Sequence, residues 1–164
     1  MTAITPQQFL DVLMHLESFD SEEQMEPLLD RFGEEQPLLA AFLDEMGGED
    51  FNEDEHEIKF FYGVAIWHTL TTHLGHPLET VDESRLEKLQ QSAEYHLETL
   101  IGDQGDISSD AVGILIQDHP QQSLLLEIFE TLKVDEAEFI RPKHLGDLLL
   151  YLKMTVDALL PATA

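Results

Sequence analysis

The sequence predicts an all-α fold, a compact single-domain helical bundle of about seven or eight helices. Apolar residues recur at helical spacing along most of the 164-residue chain, and no stretch keeps the strict alternation that a half-buried strand requires. Most periodic segments follow a helix-start signal, either a polar capping residue or a proline in the first turn. The length suits one domain at residues 1–164, and 43% hydrophobic residues are enough for a core.

The N-terminal quarter predicts three short helices. Thr5 followed by Pro6 is a typical helix start, and the stripe that follows it consists of Phe9, Leu10, Leu13 and Leu16. The segments 27–32 and 37–42 resemble each other, since each runs from a proline through two leucines to a phenylalanine. We interpret them as two short helices, each opened by its proline, and not as units of a repeat architecture.

The longest helix is predicted at about residues 52–74. Asn52 can cap it, and the acidic residues 53–55 complement the positive end of its dipole. Two adjacent apolar stripes cover much of its circumference, which is typical of a helix in the middle of a bundle. We expect Trp67 to anchor the core there, with a ligand pocket lined by Phe60, Phe61, Val64 and Trp67 as an alternative.

The C-terminal half contains several further helix starts. Asp82 opens a helix, Ser108 or Ser109 caps a short one, Pro120 begins another, and Pro142 begins the last. The last helix has an apolar stripe longer than we expect a monomer of this size to cover. We therefore predict a homodimer through residues 145–156, with the stripe formed by Leu145, Leu149, Leu152 and Val156.

Charge is the most informative property of the composition. The chain has 34 acidic residues against eight Lys and Arg, a net charge of −26. The first 57 residues contain 17 of the acids but only one of the bases, Arg31. Such a field repels nucleic acid and anionic membranes and attracts basic proteins or cations. It therefore argues against direct nucleic-acid binding and against membrane binding.

The acidic N-terminal third has three interpretations. It can bind a basic protein partner, as in an adaptor, an inhibitor or a small chaperone; it can mimic DNA phosphates; or it can serve solubility alone. We take partner binding as the working function and the DNA mimic as a lesser alternative. The predicted binding surface consists of Glu22, Glu23, Glu34, Glu35, Glu49, Asp50, Glu53, Asp54 and Glu55.

Histidines supply the other hypothesis, a metal-binding helical protein. His68, His73 and His76 lie close together at the end of the long helix, and imidazoles are common zinc and nickel ligands. The spacing matches no established metal signature, so we favour a core role for His68, with a hydrogen-bond partner, and surface positions for the other two. Glu53 and His56 have the Glu-x-x-His spacing of di-iron bundles, but no second such motif occurs in the sequence.

The sequence contains no recognisable motif for catalysis or for binding an organic cofactor. There is no cysteine, no Gly-x-Ser-x-Gly elbow and no phosphate-binding loop, so we expect no catalytic residues and no cofactor, with a divalent metal as the exception named above. The N-terminus has no apolar segment of the secretory kind. We therefore expect a cytoplasmic protein that is not an enzyme.

Overall fold

Eight α-helices, and no strand, form the part of the chain that the computed structural model describes: residues 3–74, 78–100 and 109–160, without the side chains of residues 22, 96–100 and 109. None of the described helices is long and apolar enough to cross a membrane. The helices are α1 (Pro6–Glu17), α2 (Glu22–Glu35), α3 (Pro37–Glu45), α4 (Glu53–His73), α5 (Glu83–Leu100), α6 (Ser109–Ile116), α7 (Gln122–Val134) and α8 (Pro142–Leu159). The predicted helical bundle is thus confirmed.

Several helix starts form at the predicted caps. Thr5 and Asn52 each complete a capping box, in which the cap side chain accepts from the third backbone amide of the helix and the side chain of that third residue accepts from the cap amide. Asp82 accepts from the backbone amide of Arg85 at 2.8 Å. Pro37 and Pro142 each occupy the first position of a helix, where the missing N–H costs nothing.

The helices α4 and α8 form the centre of the bundle. α4 packs against α1, α2, α3 and α8, and α8 packs in addition against α3, α5 and α7. Trp67 on α4 has no exposed surface, as expected for a core anchor. One hydrophobic cluster joins side chains from all eight helices. Because α4 is surrounded by other helices, few of its apolar side chains reach solvent.

A glycine allows α3 to approach α4 closely. Gly63 is buried on α4, and a Cβ atom there would lie 2.5 Å from Cδ1 of Leu43, which is itself fully buried. Only glycine fits at this crossing without moving Leu43.

The prediction for Pro27 is wrong. Pro27 does not open a helix but lies inside α2, which begins at Glu22. A proline there removes the hydrogen bond to the carbonyl of Glu23, and this is tolerated because both residues are exposed to water. Pro120 precedes α7 by two residues and belongs to the turn before it.

The premise for a dimer through residues 145–156 is wrong as well. Leu149, Leu152 and Val156 are 1%, 0% and 0% exposed, and Leu145 is half-buried against the same core. The chain's own helices cover the stripe because α8 lies between α4, α5 and α7. Leu149, Leu152 and Val156 therefore offer no exposed apolar surface to a second copy.

Candidate functional site

Most of the predicted acidic surface is exposed to solvent. Glu35 is half-exposed and is bonded to Arg31 at 2.7 Å, the side chain of Glu22 lies outside the described part of the chain, and Glu55 is discussed separately below. The exposed members are Glu23, Glu34, Glu49, Asp50, Glu53 and Asp54. They lie on α2, on the connection between α3 and α4, and on the first turn of α4.

A groove opens within this acidic region. Its floor is one face of α4, one wall comes from α2 and α3, and Glu136 from the connection between α7 and α8 lies on the opposite flank. The groove has a volume of about 770 Å³. Its lining residues are Met25, Leu29, Asp44, Glu53, His56, Glu57, Ile58, Phe60, Phe61, Tyr62 and Glu136.

The floor of the groove is apolar and remains partly open to solvent. Ile58, Phe60 and Phe61 are half-buried, and so are Met25 and Leu29 in the α2 wall. Phe60 is held in place by the ring of Phe32 on α2, at 6.1 Å between ring centroids. Apolar side chains of this size are usually covered when they lie in a concavity, so the groove is suited to receive another apolar surface.

Carboxylates surround this floor. Glu53 and Glu57 lie at its N-terminal end on α4, and Asp44 lies on the α3 side. Glu136 lies on the opposite flank, with its Oε1 atom 3.5 Å from the hydroxyl of Tyr62. An apolar floor with negative charge on both flanks and at one end is therefore the principal feature of the site.

No cation neutralises these four carboxylates among the ion pairs of the described residues. Arg31, the one base of the first 57 residues, bonds Glu35 and lies with its guanidinium carbon 5.3 Å from the centre of the Trp67 ring. Lys59 is fully buried beneath the groove and cannot reach the solvent side of the rim. The negative potential over the groove is therefore available to an outside cation.

Lys59 has a structural role of its own. Its Nζ atom donates to the carbonyls of Asp44 and Met46 at the C-terminal end of α3 and lies 3.0 Å from Nδ1 of His56. Burial lowers the pKa of Lys59 to about 8, and the nearby carboxylate of Asp44 opposes that shift. A cation at the last carbonyls of a helix stabilises them, so Lys59 ties α4 to α3 below the groove.

Glu136 lies in an unfavourable electrostatic position. Burial raises the pKa of its carboxyl, and the negative charges of Glu17 and Asp135 raise it further, against the effect of the hydrogen bond from Tyr62. A positive group placed beside Glu136 would relieve this repulsion.

Glu55 does not belong to the acidic surface, and its inclusion there was wrong. It is fully buried and accepts from the backbone amide of Arg141 at 3.0 Å, from the Nη2 atom of Arg141 at 2.7 Å and from the amide of Asn52 at 2.9 Å. The ring of His144 lies 2.9 Å away through Nδ1. Glu55 therefore joins the start of α4 to the start of α8.

The histidines predicted as metal ligands are only partly described. His68 and His73 are half-buried near the end of α4, and His76 lies outside the described residues. The Nδ1 atom of His68 is buried without a hydrogen-bond partner, so the expected partner is absent there. Burial lowers the pKa of His68, as do the positive charges of Arg31, His15 and His73. Among the described residues, no three His, Asp or Glu side chains are grouped as metal ligands.

Sequence reasoning named part of the groove and missed the rest. Of the four α4 residues proposed as a pocket lining, Phe60 and Phe61 do line one, whereas Val64 and Trp67 are fully buried. The α2 residues Met25 and Leu29 were not singled out, although their spacing of four places them on one helical face. No sequence pattern linked Glu136 to the groove, because only the folded chain brings it close to α4.

Comparisons of this chain with models of protein families, with curated proteins and with solved structures give no match.

Proposed function

We propose that this protein acts by binding a basic segment of another protein, with the acidic N-terminal third as its recognition surface and the groove on α4 as the centre of that surface. The observation that carries the proposal is the half-buried apolar floor of the groove, bordered by Asp44, Glu53, Glu57 and Glu136 without a neutralising cation among the described ion pairs. Partner binding makes use of both features, the apolar floor and the carboxylates that border it.

Solubility alone accounts for the carboxylates but not for the apolar floor. A surface that serves solvation needs exposed charge, but it does not need Ile58 and Phe61 at the bottom of an open concavity. The usual anatomy of a binding site is an apolar centre with a charged rim. The groove has both, and its charge is of one sign, which favours a partner of the opposite sign.

The field of the whole surface assists the encounter. Carboxylates on α2 and on the α3–α4 connection lie outside the groove and are exposed. Their attraction acts over roughly 10 Å at an ionic strength of 0.1 M, so they raise the rate at which a basic segment reaches the groove. Binding should therefore weaken steeply as salt is added.

A random peptide library tests the proposal before any partner protein has been identified. Displayed 16-residue peptides are selected on the immobilised protein at low salt and scored for Lys and Arg content. A charge-reversal variant of the acidic surface carries lysine at Glu23, Glu34, Glu49 and Glu53. A matched control with the same net charge carries lysine at four exposed carboxylates elsewhere, Glu83, Glu87, Glu94 and Glu130.

The expected result is enrichment of basic peptides that bind the control and fail to bind the surface variant. Peptides without an excess of Lys and Arg would contradict the proposal. Equal loss of binding in both variants would contradict it too, because net charge and not this surface would then decide binding.

A further inference from the structure

We propose that the occupant of the groove is a single amphipathic helix of the partner, with its apolar stripe on the α4 floor and Lys or Arg along both borders of that stripe. This inference rests on the proposed function and adds the conformation and the charge pattern of the bound segment. It follows from the length of the floor, from the placement of its carboxylates and from the chemistry of its walls.

The length of the floor corresponds to a short helical segment. The lining residues of α4 extend from Glu53 to Tyr62, about 13 Å at 1.5 Å per residue. A helix of that length and of about 10 Å diameter occupies roughly 1,000 Å³. The groove, at about 770 Å³, is smaller than this volume, so such a helix would leave its outer face in solvent.

The walls favour a helix over an extended strand. The lining residues lie mainly on α2, α3 and α4, and the backbone amides and carbonyls inside a helix are already bonded to one another. An extended peptide would therefore find no sheet edge along these helices for its own backbone. A helical peptide satisfies its backbone internally and needs only side-chain contacts, as in other helix-in-groove complexes.

The carboxylates lie on opposite flanks of α4. Phe60 and Tyr62 point about 160° apart around the helix axis, because each residue turns by about 100°. Asp44 on α3 lines one flank, and Glu136, which accepts from the hydroxyl of Tyr62 at 3.5 Å, lines the other. An occupant along the floor thus meets negative charge on both of its sides, at Glu57 within the α4 lining and, at Glu53, at one end.

These positions translate into a sequence pattern for the partner. Its apolar residues recur at i, i+3 or i+4, and i+7, so that they form one stripe along the floor. Its Lys and Arg residues occupy positions on either side of that stripe, within reach of the groove carboxylates. Charge on the far face of the partner helix contributes little, because it points into solvent.

The test uses the tightest peptides recovered from the library. Alignment should show the stripe with cations on both borders, and circular dichroism of the mixture should show helix gained on binding. A proline at the centre of the peptide should weaken binding by about tenfold or more, since it breaks a helix but not an extended chain.

Two pairs of variants locate the peptide in the groove. Glu57→Lys should weaken binding by about fivefold or more, and Glu87→Lys, which makes the same charge change on α5, by less than about twofold. Ile58→Ser should weaken binding by about fivefold, and Leu89→Ser, at a half-buried position of α5, should not. The unchanged emission of the buried Trp67 verifies that each variant is folded.

The results separate the two proposals. Basic, salt-sensitive peptides that tolerate the central proline would overturn the helix in the groove and leave the proposed function standing. Equal loss of affinity with Glu57→Lys and Glu87→Lys would overturn both proposals, because net charge and not this surface would then decide binding. A selection without basic peptides would overturn both. Helical peptides with the bordered stripe, weakened by Glu57→Lys and by Ile58→Ser alone, support the inference.

Discussion

The carboxylate of Glu55 lies 2.7 Å from the Nη2 atom of Arg141, across 86 residues of sequence. Glu55 is fully buried, whereas the side chain of Arg141 is 41% exposed. Without Arg141 the carboxylate would lose its charged partner inside the protein, whereas the guanidinium is partly hydrated in any case. Arg141 also donates through Nη2 to the carbonyl of Asp50 at 2.6 Å. One guanidinium thus joins the start of α8 to the start of α4 and to the connection before it.

Removing the charge of Glu55 should therefore destabilise the fold. Glu55→Gln keeps the shape of the side chain but weakens its bonds to Arg141 and His144. We expect the free energy of unfolding to fall by about 3 kcal/mol, the usual scale for breaking a buried pair. Urea denaturation followed by Trp67 emission measures it. The control is Glu35→Gln, which breaks the exposed Arg31 pair and should cost less than about 1 kcal/mol. Equal losses would show that Glu55 has no special role.

The same carboxylate should govern stability in acid. Burial would raise the pKa of Glu55, but the hydrogen bonds from Arg141, from the amide of Asn52 and from His144 hold it at about 2, against an ordinary value of 4.5. The unfolded chain then binds more protons than the folded chain between these values, so the stability from Glu55 is complete above pH 4.5 and lost as pH falls toward 2. The contribution is about 3 kcal/mol, from about 1.4 kcal/mol per pH unit.

Denaturation midpoints measured from about pH 6 down to about pH 2 test this pH dependence. The wild-type protein should lose more stability over that range than Glu55→Gln, which has no carboxyl to titrate at this position. Parallel acid profiles for the two proteins would assign the acid sensitivity to other carboxylates.

The difference between predicted and observed structure follows from how far apart the interacting residues lie in sequence. Thr5, Asn52 and Asp82 cap helices as predicted, because a cap involves residues only three apart. Glu55 was assigned to the surface because its neighbours in sequence are acidic. Its actual partners, Arg141 and His144, follow 86 and 89 residues later, and the periodicity of the sequence does not reveal contacts over such distances.

The groove was only partly predictable for the same reason. Phe60 and Phe61 can be recognised as a possible lining from the pattern of α4 alone, but which of its aromatic faces stays open depends on where α2 packs. The premise of the dimer prediction, an uncovered apolar stripe on α8, was wrong for the same reason, since α4, α5 and α7 cover most of that stripe. Local signals located the helices, whereas the site depends on how the helices pack.

Lys59 should titrate well below an ordinary lysine. Because burial lowers its pKa to about 8 from 10.5, the folded chain releases this proton before the unfolded chain does. Between pH 8 and 10.5 the unfolded state binds more protons at this residue, so the destabilising effect of the buried charge falls as pH rises through this range. Carbon-13 NMR of the lysine Cε atoms measures the titration directly. A midpoint near 8 should be present in the wild-type spectrum and absent from that of Lys59→Met.

Two helical glycines should respond to alanine with opposite signs. A Cβ atom at Gly63 would lie 2.5 Å from Cδ1 of the buried Leu43, so Gly63→Ala must displace a packed side chain and should cost about 1–3 kcal/mol. At Gly33 on α2 a Cβ atom meets nothing within 4 Å, so Gly33→Ala should add about 0.5–1 kcal/mol by restricting the unfolded chain.

Thermal unfolding of the two alanine variants beside the wild-type protein makes the comparison, because backbone entropy changes alike in both and only the space around the new methyl differs. Stabilisation by both substitutions would mean that Leu43 moves aside freely and that α3 does not pack closely on α4. Gly63→Ala,Leu43→Ala adds the decisive control: with the leucine truncated, the methyl at residue 63 should cost less than it does beside the intact side chain. That recovery would assign the cost of Gly63→Ala to the α3–α4 crossing itself.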